Sequence, residues 1–227
     1  MPTGRPIVVA IDGPSAVGKS TVARRLAGRL GIPFLDTGAM YRAIGLRVLE
    51  KGVDPADQAA VEELAARADL CLEPSPDGSF EVLLDGTPIE PRIRAPEVGA
   101  VTSTVSAYPA VRRRLSALQR DTAARHGGVL EGRDIGTRVF PETPYKFFLD
   151  ARSDVRFRRR HDELAAGGRD VPFEEVVAEI TSRDRRDSSR ADSPLTRDPS
   201  YTFIDASDLG ADQVVEAMAR VIEGRRR

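Results

Sequence analysis

A chain of 227 residues with 41% apolar and 30% charged side chains can build a real core, which excludes a wholly disordered polymer. Its 34 basic and 35 acidic residues leave a net charge of -1, which argues against a protein that coats nucleic acid by bulk electrostatics. One cysteine, Cys71, excludes a disulfide scaffold and a cysteine-based zinc site, and the first apolar run is too short for a signal segment or a membrane span; a cytoplasmic protein is expected.

Residues 7–11 form a continuous, mostly β-branched run, the pattern of a buried parallel strand. Residues 13–18 follow as a loop. Val22, Ala23, Leu26, Ala27 and Leu30 then recur at helical spacing over 19–30, with Gly31 as the cap. The pattern predicts a second strand over 33–36, a helix over 37–50 that ends at Gly52, and another over 55–68 with Pro55 in its first turn. Residues 69–90 change character. Strand-like pieces at 70–72, 80–84 and 87–89 alternate with turn chemistry at Ser75-Pro76-Asp77-Gly78 and Asp85-Gly86, which predicts a small β-insert.

Helical patterning returns over 95–125, punctuated by Pro109. Residues 128–131 and 145–149 read as strands, and 153–166 and 172–190 as charged helices around the Gly167-Gly168 turn. The last strand is expected over 201–205, the last helix over 209–223, and Arg225-Arg226-Arg227 as a frayed tail. Strands alternating with helices imply a parallel sheet with helices on both faces.

Gly13-Pro14-Ser15-Ala16-Val17-Gly18-Lys19-Ser20 fits G-x-x-x-x-G-K-[ST]. Such a loop lets backbone N–H groups curl around a phosphate at the positive end of a helix. Lys19 can reach the β- and γ-phosphates, and the Ser20 hydroxyl can hold Mg²⁺. The loop predicts nucleotide binding and leaves the reaction open. With no asparagine in the chain, an Asn-Lys-x-Asp guanine reader is excluded, and a small phosphotransferase is the natural remainder. Its second anionic substrate calls for arginines. The 34 basic residues include only three lysines, Lys19, Lys51 and Lys146. Arg183, Asp187 and Arg190 share one helix face at i, i+4 and i+7, and Arg156, Arg159 and Arg160 cluster on the preceding helix. Asp36-Thr37-Gly38-Ala39-Met40-Tyr41-Arg42 and Gly132-Arg133-Asp134-Ile135-Gly136-Thr137 follow strands, where open α/β sheets place ligands.

The run from Ile11 through the loop to Thr21 resembles the start of the bacterial cytidylate kinases, within the P-loop nucleoside monophosphate kinases. So do Leu35-Asp-Thr-Gly-Ala-Met-Tyr-Arg42, Ile93-Arg-Ala-Pro-Glu-Val98, Ser103, Tyr108-Pro-Ala-Val-Arg112, Glu131-Gly-Arg-Asp-Ile-Gly-Thr137, Phe147-Phe-Leu-Asp-Ala151 and Arg183-Asp-Arg-Arg-Asp187 with Arg190. The resemblance implies a three-layer α/β fold with a parallel central sheet, a helical lid and a β-insert in the monophosphate-binding region. It implies one kinase domain: a core over about 6–36, 127–152 and 200–224, a monophosphate-binding region over about 37–126 with its insert at about 69–90, and a lid over about 153–190.

The implied reaction is transfer of the ATP γ-phosphoryl to CMP or dCMP, giving ADP and CDP or dCDP, with Mg²⁺ accompanying ATP. On the ATP side the resemblance implies Gly13, Pro14, Ser15, Ala16, Val17, Gly18, Lys19, Ser20 and Thr21, joined by Arg156 and Arg160 of the lid. It implies Ser103, Arg112 and Asp134 at the cytosine and Thr37, Tyr41, Arg42 and Arg133 at the acceptor end, chiefly its phosphate. Arg183, Asp187 and Arg190 would contact CMP and the transferring group, with Asp187 on the sugar hydroxyls. Lys19, Arg133, Arg183 and Arg190 are the expected catalytic residues. The partners implied are nucleotides, with no nucleic acid or membrane, and a monomer is expected. A carboxylate suits the cytosine amino group and opposes O4 of uracil. Two rival readings stand: a kinase of the shikimate or adenylate type, and a non-catalytic nucleotide-binding module.

Overall fold

A computed structural model describes residues 6–226. In chain order the elements begin with β1 (Val8–Asp12), α1 (Lys19–Leu30), β2 (Phe34–Asp36), α2 (Thr37–Glu50) and α3 (Gln58–Arg67). Next come β3 (Leu70–Pro74), β4 (Phe80–Leu84), β5 (Thr87–Pro88), a 3₁₀ turn (Arg92–Arg94), α4 (Pro96–Val105) and α5 (Pro109–His126). Then follow β6 (Gly128–Gly132), a π-helical turn (Ile135–Val139), β7 (Tyr145–Asp150), α6 (Ser153–Ala166), α7 (Phe173–Ser189), β8 (Thr202–Asp205) and α8 (Ala211–Arg226). The described chain forms two compact units, one of residues 6–7 and Gly31–Gly128, the other of Val8–Leu30 and 129–226.

The second unit carries four strands of a parallel sheet in the order β6-β1-β7-β8. β1 pairs parallel with β7, Val9 opposite Tyr145, and β7 pairs parallel with β8. Val9, Ala10 and Ile11 are fully buried, as a strand covered on both faces requires, and this is why the first run of the sequence shows no polar alternation. α1 buries Val22, Ala23, Leu26 and Ala27 on one stripe, and Gly31, at φ 64°, ends it. α8 buries Val214, Met218, Ala219 and Ile222 at similar spacing. It starts two residues later than predicted because Gln213 Oε1 accepts from Gly210 N (2.8 Å). It also runs on to Arg226, so Arg225 and Arg226 continue the helix; Arg227 lies outside the described residues.

The first unit holds the β-insert as an antiparallel sheet, β3-β4-β5, with the Asp85-Gly86 turn at positive φ in both residues. Asp36 caps α2 by accepting from Ala39 N (3.1 Å). α3 begins at Gln58, three residues after the predicted start, because Asp57 caps it at Ala60 N (3.0 Å) and Pro55 falls in the preceding turn. Pro96 and Pro109 open α4 and α5 at positions where a missing N–H costs nothing. His126 packs edge-on against Phe80, and Cys71 is a half-buried free thiol. No described helix is long and apolar enough to cross a membrane.

Candidate active site

The phosphate loop joins β1 to α1. At Gly13 (φ 156°) a Cβ would lie 2.0 Å from the Leu149 carbonyl oxygen, so only glycine lets the loop leave β1 this close to β7. Ala16 holds a positive φ of 60°, a strained conformation of the kind found where a loop is preshaped. Lys19 is 6% exposed, and its Nζ donates to the carbonyls of Gly13 (2.9 Å) and Pro14 (2.6 Å). Burial, reinforced by the Arg133 guanidinium, lowers the Lys19 ammonium to about 7, against the pull of Glu131, Asp12 and Asp187.

That depression has a measurable sign. A phosphate placed beside Lys19 would favour its charged form, so above about pH 7 the expected nucleotide binding should take up protons and weaken as pH rises further. Calorimetry in buffers of differing ionisation enthalpy is expected to register this uptake at pH 8; none at all would mean that Lys19 is fully charged before the nucleotide arrives.

Ser15 is the junction of the loop with its surroundings. Its N–H donates to Asp184 Oδ1 (2.9 Å), its carbonyl accepts from Arg156 Nη1 (2.9 Å), and its Oγ accepts from Arg133 Nη2 (3.1 Å). Arg156 is buried and also donates to Asp184 Oδ2 (2.5 Å) and the Ala151 carbonyl (3.2 Å). Its donors therefore grip the loop rather than point to solvent. Arg160 lies on the more open face of α6 and pairs with Glu163 (2.9 Å). Arg159 donates to the Ala206 carbonyl (2.7 Å) and Val17 carbonyl (3.3 Å).

Asp187, on α7, accepts from Arg133 Nε (2.7 Å) and Arg190 Nη2 (2.5 Å). A direct chain of hydrogen bonds thus runs Ser15–Arg133–Asp187–Arg190. Arg183 is half-exposed and faces Glu179 (3.5 Å). Asp134 is buried at the head of the π-helical turn and makes no side-chain cap bond to it. Ser20 and Gly18 are exposed.

In the first unit, Arg112 stacks over Tyr41, Cζ 5.4 Å from the ring centroid, while its Nη1 donates to the Ser106 carbonyl (3.0 Å). Arg42 donates to Asp36 (2.6 Å), and its buried Nε has no hydrogen-bond partner among the described residues. Thr37 is buried at the start of α2, and Ser103 sits half-buried on α4.

Three residues escaped sequence reasoning. Asp184 lies among charged neighbours that look like any solvated face, and Tyr201 reads as the start of a strand. Asp12 did carry a signal, a lone acid closing an otherwise apolar strand. It is fully buried and accepts from Ile135 N (2.9 Å), Gly136 N (2.8 Å) and Tyr201 Oη (2.7 Å). Burial outweighs these donors and raises its carboxyl to about 6.

The family model for cytidylate kinase matches residues 9–224. The cytidylate kinase of Corynebacterium glutamicum is 51% identical over 225 residues, covering 98% of this chain and 96% of that one. The cytidylate kinase of Pelotomaculum thermopropionicum is 48% identical over 219 residues, covering 96% and 97%. Among solved structures, an uncharacterized protein from Eubacterium ventriosum aligns at a TM-score of 0.54 and 13% identity, covering 96% of this chain and 98% of that one, a likeness of fold alone.

Proposed function

The chain belongs to the cytidylate kinase family, and from that premise we propose that it transfers the γ-phosphoryl of ATP to CMP or dCMP, forming ADP and CDP or dCDP. The observation that carries this is the bonded chain Ser15–Arg133–Asp187–Arg190, which ties the donor loop to arginines suited to an acceptor phosphate. Two anions must approach each other, and fixed cations offset their repulsion. The acceptor is itself an anion, so no general base is required. Alignment and charge neutralisation by Lys19, Arg133, Arg183 and Arg190 supply the catalysis.

On the ATP side the loop residues Gly13 to Thr21 cradle the phosphates. Arg156 acts by gripping the loop at Ser15, and Arg160 reaches the nucleotide from the lid, residues 153–190. No cluster of three metal-ligating side chains occurs among the described residues. The exposed Ser20 hydroxyl at the head of α1 fits a Mg²⁺ that arrives with ATP and takes most of its ligands from phosphate and water. Bound there, the ion would neutralise charge on the phosphates.

On the CMP side Thr37, Tyr41, Arg42 and Arg133 serve the phosphate end, Ser103, Arg112 and Asp134 the base, and Asp187 the sugar hydroxyls. The whole chain acts as one kinase domain, a cytoplasmic monomer working on free nucleotides. The shikimate- or adenylate-kinase reading and the non-catalytic module are not favoured, given the family match over residues 9–224.

Asp134→Asn tests the base pocket. An amide can turn either a donor or an acceptor to the base, so preference for CMP over UMP is expected to shrink about 5- to 150-fold, mainly through loss of CMP activity. ATP affinity should barely change. An unchanged CMP/UMP ratio of kcat/KM would remove Asp134 from the site, and ADP release with AMP or shikimate in place of CMP would overturn the substrate class.

A further inference from the structure

Asp12 closes β1 one residue before the phosphate loop, and its two oxygens collect the consecutive amides of Ile135 and Gly136 together with the Tyr201 hydroxyl. Those amides directly follow Arg133 and Asp134. A fully buried carboxylate is costly unless its donors converge on it, so this one selects the backbone conformation that brings both N–H groups to a point. The following turn is π-helical, with Phe140 N donating to Ile135 O (2.7 Å), an irregularity common at functional sites.

Tyr201 completes the brace. The residue is 8% exposed and its ring packs edge-on against Phe148, centroids 6.0 Å apart, which fixes the hydroxyl. Gly136 has no room for a side chain, because a Cβ would lie 2.6 Å from Tyr201 Oη and 3.1 Å from Lys146 Cδ. Burial and the neighbouring Asp12 raise the Tyr201 phenol pKa, so the group stays a neutral donor.

We propose that Asp12, braced by Tyr201, is a positioning residue for acceptor recognition: it sets the backbone of residues 133–136 so that Arg133 and Asp134 meet CMP in register with the phosphate loop. This rests on the reading of Asp134 and Arg133 as acceptor residues. Asp12 touches neither substrate; it acts through the two amides it holds.

The test compares Tyr201→Phe, Asp12→Asn, Asp134→Asn and the Tyr201→Phe/Asp134→Asn double variant. The readouts are kcat/KM for CMP and for UMP, the ATP Kd, and amide exchange at Ile135 and Gly136. Tyr201→Phe keeps both amide bonds and removes one donor. It is expected to raise the CMP KM and to lower the CMP/UMP preference about 5- to 10-fold, with ATP Kd within about twofold. Asp12→Asn replaces one acceptor oxygen by a donor, so exchange at the two amides should accelerate and the preference should fall further. In the Asp134→Asn background, Tyr201→Phe is expected to lower the CMP/UMP preference by less than about a further twofold, because that preference runs through Asp134, while the CMP KM still rises through Arg133.

If Asp134→Asn shifts the preference while Tyr201→Phe lowers CMP and UMP turnover equally, or if the two effects simply add, Asp12 and Tyr201 are structural and the inference is overturned alone. If Asp134→Asn leaves the preference unchanged, the base-pocket reading falls and this inference falls with it. Should Asp12→Asn fail to fold, Tyr201→Phe and the double variant carry the decision.

Discussion

Lys19→Ala is expected to abolish phosphoryl transfer, with a fall in kcat of at least about 100- to 1000-fold, the loss typical of removing one fixed donor to developing charge. The ammonium is almost fully buried and anchored on the Gly13 and Pro14 carbonyls, so its position is set before a nucleotide arrives. CMP affinity should persist, because we assign Lys19 to the ATP side of the site. The fold should also persist. Burial already opposes the charge on Lys19, so alanine removes a costly buried cation along with its two hydrogen bonds. Single-turnover kinetics and CMP titration on the same preparation separate the outcomes, and near-normal turnover would sink the donor assignment.

Much of this site can be read from the sequence because its elements obey local rules. α1 and α2 run over the predicted residues: α1 carries a regular apolar stripe and ends at Gly31, whose backbone takes a positive φ, and α2 starts where the Asp36 carboxylate caps it. The phosphate loop is a contiguous motif whose glycine spacing is itself the geometry. What stayed hidden depends on residues far apart in the chain. Tyr201 meets Asp12 across 189 positions, and Asp184 meets Ser15 across 169. No periodicity relates such positions. The π-helical turn after Asp134 was equally invisible, because Asp12, outside the segment, supplies the acceptor that holds it.

The same distinction explains Arg156. From sequence it is one of several arginines on a charged helix, interchangeable with Arg160. In the fold it is buried against the Ser15 carbonyl and Asp184, whereas Arg160 pairs with Glu163 on a more open face. Composition shows how many guanidinium groups are present. Only packing separates those that shape the loop from those left to meet a ligand.

Asp187→Asn is expected to damage catalysis and stability together. One carboxylate serves two guanidinium groups, Oδ2 for Arg133 and Oδ1 for Arg190, and its side chain is only 10% exposed. An amide keeps one acceptor and turns a donor toward the other arginine, so one pair is lost however it rotates. Breaking a buried pair from one side costs about 3–5 kcal/mol, and the partial exposure of Arg133 places this case toward the lower end. With Arg133 and Arg190 no longer held, misalignment of the transferring group should lower kcat about 100-fold. The pH dependence supplies a check on cause. Burial pushes the Asp187 carboxyl up, but Arg133 and Arg190 outweigh it and hold the group below its ordinary 3.8. A carboxylate depressed in the folded state stabilises fully above its unfolded value, and that stabilisation is lost as pH falls through the folded value. The Tm gap between the parent and Asp187→Asn should therefore be constant near neutrality and close in acid, below about pH 4. A gap that does not narrow in acid would mean that Asp187 contributes through packing rather than charge. Parental kcat in the variant would remove the Arg133–Asp187–Arg190 chain from the chemistry.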